Sequence, residues 1–444
     1  MYREAIEQLV QWKNSSNRKP LILRGARQVG KTWLMKEFGK KYYKKTAYIM
    51  MDENERVENV FRDAFDIDRI ISSLEIEAGF KIIPEETLLI FDEVQEIPRA
   101  LKSLKYFCEL APQYHIIAAG SLLGIALHEG TSFPVGKVDF IDLYPMTYRE
   151  YLMAIEGDDL VQLLDKTDYR MISDFKTKYI DHLKYYYYVG GMPEAVADFV
   201  EHHDVKRVRT IQNKLLYAYE NDFSKHAPED IVTRIRMLWN SVPTQLAKEN
   251  KKFIYGLIRE GARAREYEIA ITWLIDVGLV YKINRVKKPD FLLRAYQDFS
   301  AFKLFVLDVG LLGAMSRLSA KTILEGNRLF EEFKGALTEQ YVLQQLIVNP
   351  ENDLFYWSAE GGIAELDFLI QTEDDIVPVE VKAEENLQAK SLRMFVQKYE
   401  NMNAVRTSMS DYREQDWMTN IPLYNIGNLN LLLSRRLDNP SHFA

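Results

Sequence analysis

Along the first 140 residues, short apolar runs rich in β-branched residues alternate with stretches of helical patterning. KPLILRG leads to a helical stretch from Lys31, then come TAYIMMD, helices to about residue 79, TLLIFDE, another helix and HIIAAGS. Strands this uniformly apolar are buried on both faces, and the helices between them supply the crossovers that parallel strands require. The pattern predicts an α/β domain with a parallel sheet covered on both sides.

From about 147 to 230 the pattern turns mainly helical, with a break at YYYYVGGMP where Gly190, Gly191 and Pro193 interrupt the periodicity. This stretch reads as a lid or linker. Helical segments follow around 231–241, 243–247 and 251–260, then REYEIAITWLIDVG and the strand YKINRV. Three short helices and a strand resemble a winged helix-turn-helix, with REYEIAITWLIDVG as recognition helix and KINRVKK as wing. Past residue 331 the order is helix EEFKGALTEQYVLQQLI, strands DLFYWS, AELDFLI and IVPVEVK, helix LQAKSLRMFVQKY and strand AVRTSMS. The turns AEGGI and QTEDD suit short hairpin connections.

A chain of 444 residues makes about three packed units and excludes a single small module. With 47% hydrophobic and 27% charged residues it is neither disordered nor a membrane bundle. There is no internal repeat and no low-complexity tract beyond Tyr185 to Tyr188. The only cysteine, Cys108, excludes an internal disulfide and a cysteine-rich zinc site. The N-terminus has scattered charges, and no uncharged stretch approaches about 18 residues, so a cytoplasmic protein with no membrane partner is expected.

The net charge of -8 hides local blocks. Residues 1–45 carry twelve bases and three acids, 52–96 carry four bases and fourteen acids, and 231–296 carry thirteen bases and six acids. The last is a candidate anion-facing surface, in the region of the winged-helix pattern.

Gly25-Ala26-Arg27-Gln28-Val29-Gly30-Lys31-Thr32 fits GxxxxGK[ST] between a predicted strand and a predicted helix. Its glycines let backbone N–H groups face phosphate oxygens, the helix N-terminus adds its positive dipole end, Lys31 reaches the β and γ phosphates, and Thr32 ligates magnesium. Leu88-Leu89-Ile90-Phe91-Asp92-Glu93 is a buried-strand run ending in two acids. Asp92 is placed to hold the metal and Glu93 to orient and deprotonate water. Ser121, ending the next strand, is the candidate polar sensor. Arg27, Lys137 and Arg149 are the candidates for an arginine-finger role, with a solvated surface role open for each. No LSGGQ-like signature is present.

In the C-terminal region, alternation puts Glu380 and Lys382 on one face of a predicted strand, and a hairpin can bring Asp367 beside them. Two carboxylates with a nearby lysine can hold magnesium and position water for phosphodiester hydrolysis, and Glu339 in the preceding helix offers a third oxygen ligand. Glu249-Asn250-Lys251 and Glu332-Phe333-Lys334 also match ExK, so only the strand context discriminates. Pro378 requires an edge, a bulge or a strand start. A structural ion-pair cluster on the same scaffold is the competing reading. The seven histidines form no metal pattern, and no Ser-His-Asp or Cys-His set is evident.

RGARQVGKT, LLIFDEVQ, IIAAGS, YPMTYREY, VGGMPEAV, FKLFVLDVGLL, FKGALTEQYV and AELDFLI followed by VPVEVKA resemble the bacterial and archaeal AAA+-type P-loop ATPases fused to a C-terminal PD-(D/E)xK nuclease-like domain of unknown function. The likeness runs from about residue 15 to about 400. It implies an AAA+-like P-loop NTPase core at 1–146, a helical lid or linker at 147–230, a winged-helix-like domain at 231–300 and a restriction-endonuclease-like α/β domain at 301–444. Lys31, Thr32, Asp92 and Glu93 match its ATPase residues, and Asp367, Glu380 and Lys382 its nuclease-type positions. FPVGKV departs from it, since Lys137 stands where many relatives have arginine and lacks the planar fork of a finger. The expected function is magnesium-dependent ATP hydrolysis coupled to nucleic-acid binding or processing. The alternative is a nucleotide-switched regulatory protein whose nuclease-like domain holds a protein partner and cuts nothing. The partners left open besides ATP are DNA, RNA and a protein.

Overall fold

A computed structural model describes residues 1–62, 65–121, 123, 134, 136–248, 252–325, 328–359, 364–373, 375–385, 388–399 and 402–438, with the backbone alone at 324, 325, 328–332 and 435–438. Most of the AEGGI turn, the Glu249-Asn250-Lys251 match and part of FPVGKV lie outside the described residues. The chain divides into two compact units. The N-terminal unit is Tyr2–Tyr144 with Asp276–Leu279, and the C-terminal unit is Pro145–Ile275 with Val280–Ala444.

The N-terminal unit runs α1 (Ala5–Asn14), β1 (Leu21–Arg24), α2 (Lys31–Tyr42), β2 (Lys45–Met50), α3 (Glu55–Arg62), α4 (Ile67–Ala78), β3 (Thr87–Asp92), α5 (Pro98–Leu110), β4 (His115–Ala119) and β5 (Asp139–Asp142). The strands form one parallel sheet in the order β2-β3-β4-β1-β5. Every residue of β3 and β4 is buried, which accounts for their unbroken apolar sequence. Helix boundaries follow local chemistry. Asp66 caps α4 by accepting the Arg69 N–H, and Gly79 ends that helix in the left-handed region at φ 76°. The order inserts β4 between β1 and β3, so the chain reaches the C-terminal ends of three adjacent strands at Gly25, Asp92 and Ser121.

The C-terminal unit begins with α6 (Tyr148–Glu156), α7 (Asp158–Lys166), α8 (Tyr169–Asp174), α9 (Lys176–Val189), α10 (Pro193–His202), α11 (Val205–His226), α12 (Glu229–Leu246) and α13 (Ala264–Asp276). It continues with β6 (Val280–Val286), β7 (Gln297–Val306), α14 (Val309–Met315), α15 (Ala320–Glu325), α16 (Arg328–Leu346), β8 (Asp353–Ser358), β9 (Glu365–Gln371), β10 (Ile376–Val381), α17 (Lys390–Lys398), β11 (Val405–Ser408), β12 (Arg413–Gln415), β13 (Met418–Pro422) and α18 (Leu429–Asp438). Its eight strands form one sheet in the order β12-β13-β11-β10-β9-β8-β6-β7. The stretch from α16 to β11 has the α-β-β-β-α-β order expected of it.

Two expectations about the middle of the chain are revised. Residues 231–241 and 243–246 belong to one helix, α12, which carries Pro243 in its last turn and ends at Leu246. Among the described residues of 251–260 only a single 3-10 turn, Tyr255–Leu257, is helical. The predicted wing strand is β6. It forms an antiparallel hairpin with β7 and also pairs in parallel with β8 at Arg285 and Val286, so it joins the C-terminal sheet. Trp273 and Leu274 are core residues of α13. Pro378 is the third residue of β10, and parallel pairing with β11 starts only at Val379, so its missing N–H precedes that ladder.

The glycine pair and the LDVG sequence meet at one buried carboxylate. Asp308 Oδ2 accepts the Gly191 N–H at 2.6 Å and Gln344 Nε2 at 3.0 Å, while Oδ1 accepts the Leu311 N–H at 3.0 Å as the cap of α14. Burial pushes this carboxyl above its ordinary pKa, and the donors oppose that shift. The approach leaves no room for side chains. A Cβ on Gly190 would stand 2.1 Å from Asp308 Oδ1, and one on Gly310 would stand 2.6 Å from the Val189 carbonyl oxygen. Around this point Tyr186 and Tyr187 of α9 pack with Tyr148 and Tyr341, which explains the tyrosine run as core. Among the described residues no helix is long and apolar enough to cross a membrane.

Gly190 has φ 73° and faces a carboxylate pinned by several donors. Gly190→Ala is therefore expected to destabilise the C-terminal unit by about 2–4 kcal/mol through backbone strain and overpacking. A chemical denaturation curve with an unchanged midpoint would refute this.

Candidate functional site

The loop between β1 and α2 gains its shape from three backbone positions. Gly25 has φ 145°, and a Cβ there would stand 2.3 Å from the Leu143 carbonyl oxygen. Gln28 and Gly30 take positive φ values of 65° and 96°, and Gly30 is the N-cap of α2. The first helical residue is Lys31. Its buried Nζ donates to the carbonyl oxygens of Gly25 and Ala26, both at 2.8 Å. Burial pushes this ammonium down to about 8, with Glu93 and Asp92 opposing and Arg27 adding to the fall. The cation is thus removed from water and its bonded partners are neutral carbonyls, the condition in which an arriving phosphate gains most.

Thr32 Oγ1 donates to Asp92 Oδ2 at 2.7 Å, joining the start of α2 to the end of β3. A hydroxyl and a carboxylate this close fit one divalent cation, with Thr32 and Asp92 as its protein ligands. Tyr48, on the neighbouring β2, donates to the same carboxylate oxygen at 2.9 Å, and the Lys36 ammonium lies 3.7 Å from the centre of its ring. Burial first, and Asp92 second, raise the Tyr48 phenol above its ordinary value, so it stays a donor.

Glu93 leaves β3 in the left-handed region at φ 53°, an uncommon conformation for a residue with a side chain. Its Oε2 accepts Gln95 Nε2 at 2.7 Å, Ser121 Oγ at 3.0 Å and the Ser121 N–H at 3.3 Å. Burial would raise this carboxyl, but the donors and Lys31 outweigh it, so its pKa falls and it is ionised at neutral pH. Ser121 also accepts Arg27 Nε at 3.2 Å. The structure therefore brings the loop arginine, the strand-end serine and the second acid into one chain of hydrogen bonds.

Sequence reasoning missed Tyr48 and Gln95. Tyr48 alternates with buried Ala47 and Ile49 along β2, and only the pairing of Met50 with Asp92 reveals its partner. For Gln95 a faint signal existed in the glycine before Ser121, since a Cβ on Gly120 would stand 2.0 Å from Gln95 Oε1. Two basic candidates are committed elsewhere. Lys137 pairs with Glu109 at 2.9 Å, and Arg149 makes a two-pronged contact with Asp165 at 3.2 and 2.5 Å.

In the C-terminal unit, Glu380 and Lys382 do share a face, with Nζ 2.7 Å from Oε1. Asp367 Oδ2 accepts the Val381 N–H at 2.8 Å, which sets it beside them. Glu339 turns to another cation. Lys303 of β7, with no exposed side-chain surface, lies 2.5 Å from Glu365 Oε1 and 3.7 Å from Glu339 Oε2. Burial would lower this ammonium, but Glu339, Glu365 and Asp367 together raise it above its ordinary value. Among the described residues no three His, Cys, Asp or Glu side chains converge so as to hold a metal ion. Within the expected set of Glu339, Asp367 and Glu380, the carboxylates are engaged by Lys303, a backbone N–H and Lys382 in turn, while Glu380 Oε2 is buried with no hydrogen-bond partner among the described residues.

A glycine-bent loop on one strand, two acids ending another and a serine ending the strand between them define a P-loop ATPase domain. Residues 17–152 match the family described as AAA domain, and most of that match lies in the N-terminal unit. Residues 180–322 and 334–426 match two domains of unknown function, DUF8612 and DUF4143. Among solved structures the chain is similar to the Walker-type ATPase of Pyrococcus abyssi, at 15% identity and a TM-score of 0.46, over 71% of this chain and 95% of that one. The Aeropyrum pernix Orc1 protein in complex with DNA gives 12% identity and 0.26, over 71% and 91%. Cdc6p from Pyrobaculum aerophilum gives 12% and 0.25, over 72% and 94%. No curated protein matches.

The Lys31 value sets a pH dependence for nucleotide binding. Only the protonated amine attracts phosphate, so ATP affinity is expected to hold at pH 7 and to weaken as pH rises through about 8. Kd measured across that range should show this slope in the native chain and lose it in Lys31→Arg, whose guanidinium does not titrate there. A flat native profile would contradict the assignment of Lys31 to phosphate.

Proposed function

We propose that this chain is a magnesium-dependent ATPase whose nucleotide state controls how its C-terminal unit engages nucleic acid, and that the C-terminal unit binds without cutting. The 2.7 Å contact of Thr32 with Asp92 carries the first half, because it joins the helix that starts at the phosphate loop to the strand that ends in the metal-binding acid. Magnesium bound there would neutralise charge on the β and γ phosphates. Lys31 and the loop N–H groups would hold the phosphates, Ser121 would act as the polar sensor, and Glu93, ionised and anchored beside Ser121, would orient water and take its proton.

We read 147–230 as the lid or linker, the helices from 231 with the β6–β7 hairpin as a winged-helix-like module that shares the C-terminal sheet, and the chain after β7 as a nuclease-like fold. The exposed face of α13 supports nucleic-acid contact. Arg265, Glu268 and Thr272 are exposed on it, with Arg263 just before the helix and Lys287 just beyond β6, so the bases outnumber the one acid. Such cations bind phosphates without demanding sequence. Arg263→Ala with Arg265→Ala is expected to weaken binding to a DNA duplex and to flatten its salt dependence by about two phosphate contacts. An unchanged salt slope in a filter-binding titration would turn the search toward a protein partner.

Lys303 favours the non-cleaving reading, since an ammonium fully enclosed among carboxylates occupies the charge balance that a nuclease leaves to a metal. Two outcomes are expected. Native protein should leave single- and double-stranded DNA and RNA intact with Mg²⁺ or Mn²⁺, with or without ATP, while hydrolysing ATP in a reaction that EDTA and Lys31→Ala abolish. Lys303→Met should destabilise the C-terminal unit by about 3–5 kcal/mol at neutral pH, as expected for a buried charge left uncompensated. The loss should shrink at acidic pH, because the carboxylates left without a counter-charge then bind protons. Metal-dependent cleavage abolished by Lys382→Ala would overturn the non-cleaving reading.

A further inference from the structure

The C-terminal unit also contains a cationic cavity that the nucleotide chemistry does not use. It measures about 770 Å³ and lies between the start of α11, the end of α9 and the segment following α14. Its wall carries Lys206, Arg209 and Arg317, with Asn213 and Ser319 as neutral polar partners, and no acidic side chain lines it. The remaining wall is aliphatic apart from Tyr188.

Arg209 is the fixed point. Its guanidinium lies 4.4 Å from the centre of the Tyr188 ring, and its NH2 donates to the Leu318 carbonyl oxygen at 2.9 Å. Its NH1 is buried and has no hydrogen-bond partner among the described residues. Burial lowers the pKa of this group, and Tyr188 opposes the shift. NH1 is enclosed, so an anion in the cavity would meet Arg209 as a positive charge held in place by Tyr188 and the Leu318 carbonyl. Lys206 and Arg317 are exposed, and neither forms an ion pair among the described residues. The contrast with the adjacent Arg207 is informative, since that guanidinium is consumed by Asp198 at 2.5 Å.

We propose that this cavity binds a small organic phosphate, with the phosphate on Arg209, Lys206 and Arg317 and the organic body against Tyr188 and the aliphatic wall. The volume lies within the range of about 300–1,000 Å³ typical of small-molecule sites, far more than a lone phosphate fills. The lining meets both parts of such a ligand, and the absence of acids from the wall removes the repulsion that would select against it.

The test is calorimetric titration of the full chain with AMP and with phenyl phosphate, after the phosphate loop has been saturated with ADP and Mg²⁺. At least one probe should bind with one equivalent. Lys206→Glu combined with Arg317→Glu, both at exposed positions, should weaken that binding by about tenfold or more while leaving ADP affinity unchanged. Arg209→Gln, which removes the held charge, should weaken it as well. The proposal is overturned if neither probe binds at millimolar concentration or if the double variant binds as the native chain does. It is also overturned if only single-stranded oligonucleotide binds and is lost in the double variant, since the cavity would then be part of a polymer track. The intact ADP response separates these failures from any failure of the ATP site.

Discussion

A charge taken out of water must be met by the protein, and this chain meets its buried charges in different ways that set what each site can do. Asp308 is a buried anion answered by N–H donors from three segments, and it holds the glycine pair, α14 and α16 together. Lys303 is a buried cation answered by carboxylates, which balance its charge. Lys31 is a buried cation bonded only to carbonyl oxygens. Its pKa falls to about 8 while that of Lys303 rises, although both are lysines removed from solvent. The difference lies in the charge of the groups in contact, and it separates a site awaiting an anion from one whose charge is already balanced.

The sheet order explains why the nucleotide residues can meet at all. Lys31 and Asp92 are distant in sequence, and neither sits on the strand between theirs. Placing β4 between β1 and β3 brings Ser121 within reach of Glu93 on one side and Arg27 on the other. A sheet in sequence order would have kept the acids beside Ser121 but put the phosphate loop three strands from it instead of next to it. Burial of β3 and β4 on both faces fixes this order energetically, since either strand moved to an edge would expose an unbroken apolar face to water.

Much of this was legible in the sequence, and the parts that were not share a cause. The phosphate loop, the strand-end acids and the α-β-β-β-α-β order are written in local patterns: glycine spacing, apolar runs and alternation. Glu380 and Lys382 follow from the period of a strand alone. Lys303 was invisible, because nothing in AFKLFV distinguishes an inward lysine from an outward one. Its burial depends on Glu339 from a helix and Glu365 from another strand. Tyr48 and Gln95 were hidden for the same reason, each being defined by a partner on a neighbouring strand or turn. The helix break expected before Pro243 fails because the helix runs on to Leu246 with the proline inside it, at the cost of the bond that its missing N–H would have given to the turn before.

The same reasoning bears on how the ATP site would turn over. Glu93 is ionised, with Gln95 and Ser121 donating to its Oε2 and a left-handed backbone holding it in place. A carboxylate bound by this many donors is a weaker base than a free one, because each donor stabilises the anion that must accept the proton. Efficient proton abstraction therefore requires that some of these bonds loosen when nucleotide is present. Ser121 is the natural place, since it also accepts from Arg27, a loop residue that an arriving phosphate would draw toward itself. Moving Arg27 changes the hydrogen bonding of Ser121, and through it the basicity of Glu93. On the roles proposed for these residues, phosphate binding and water activation would be coupled within one strand end.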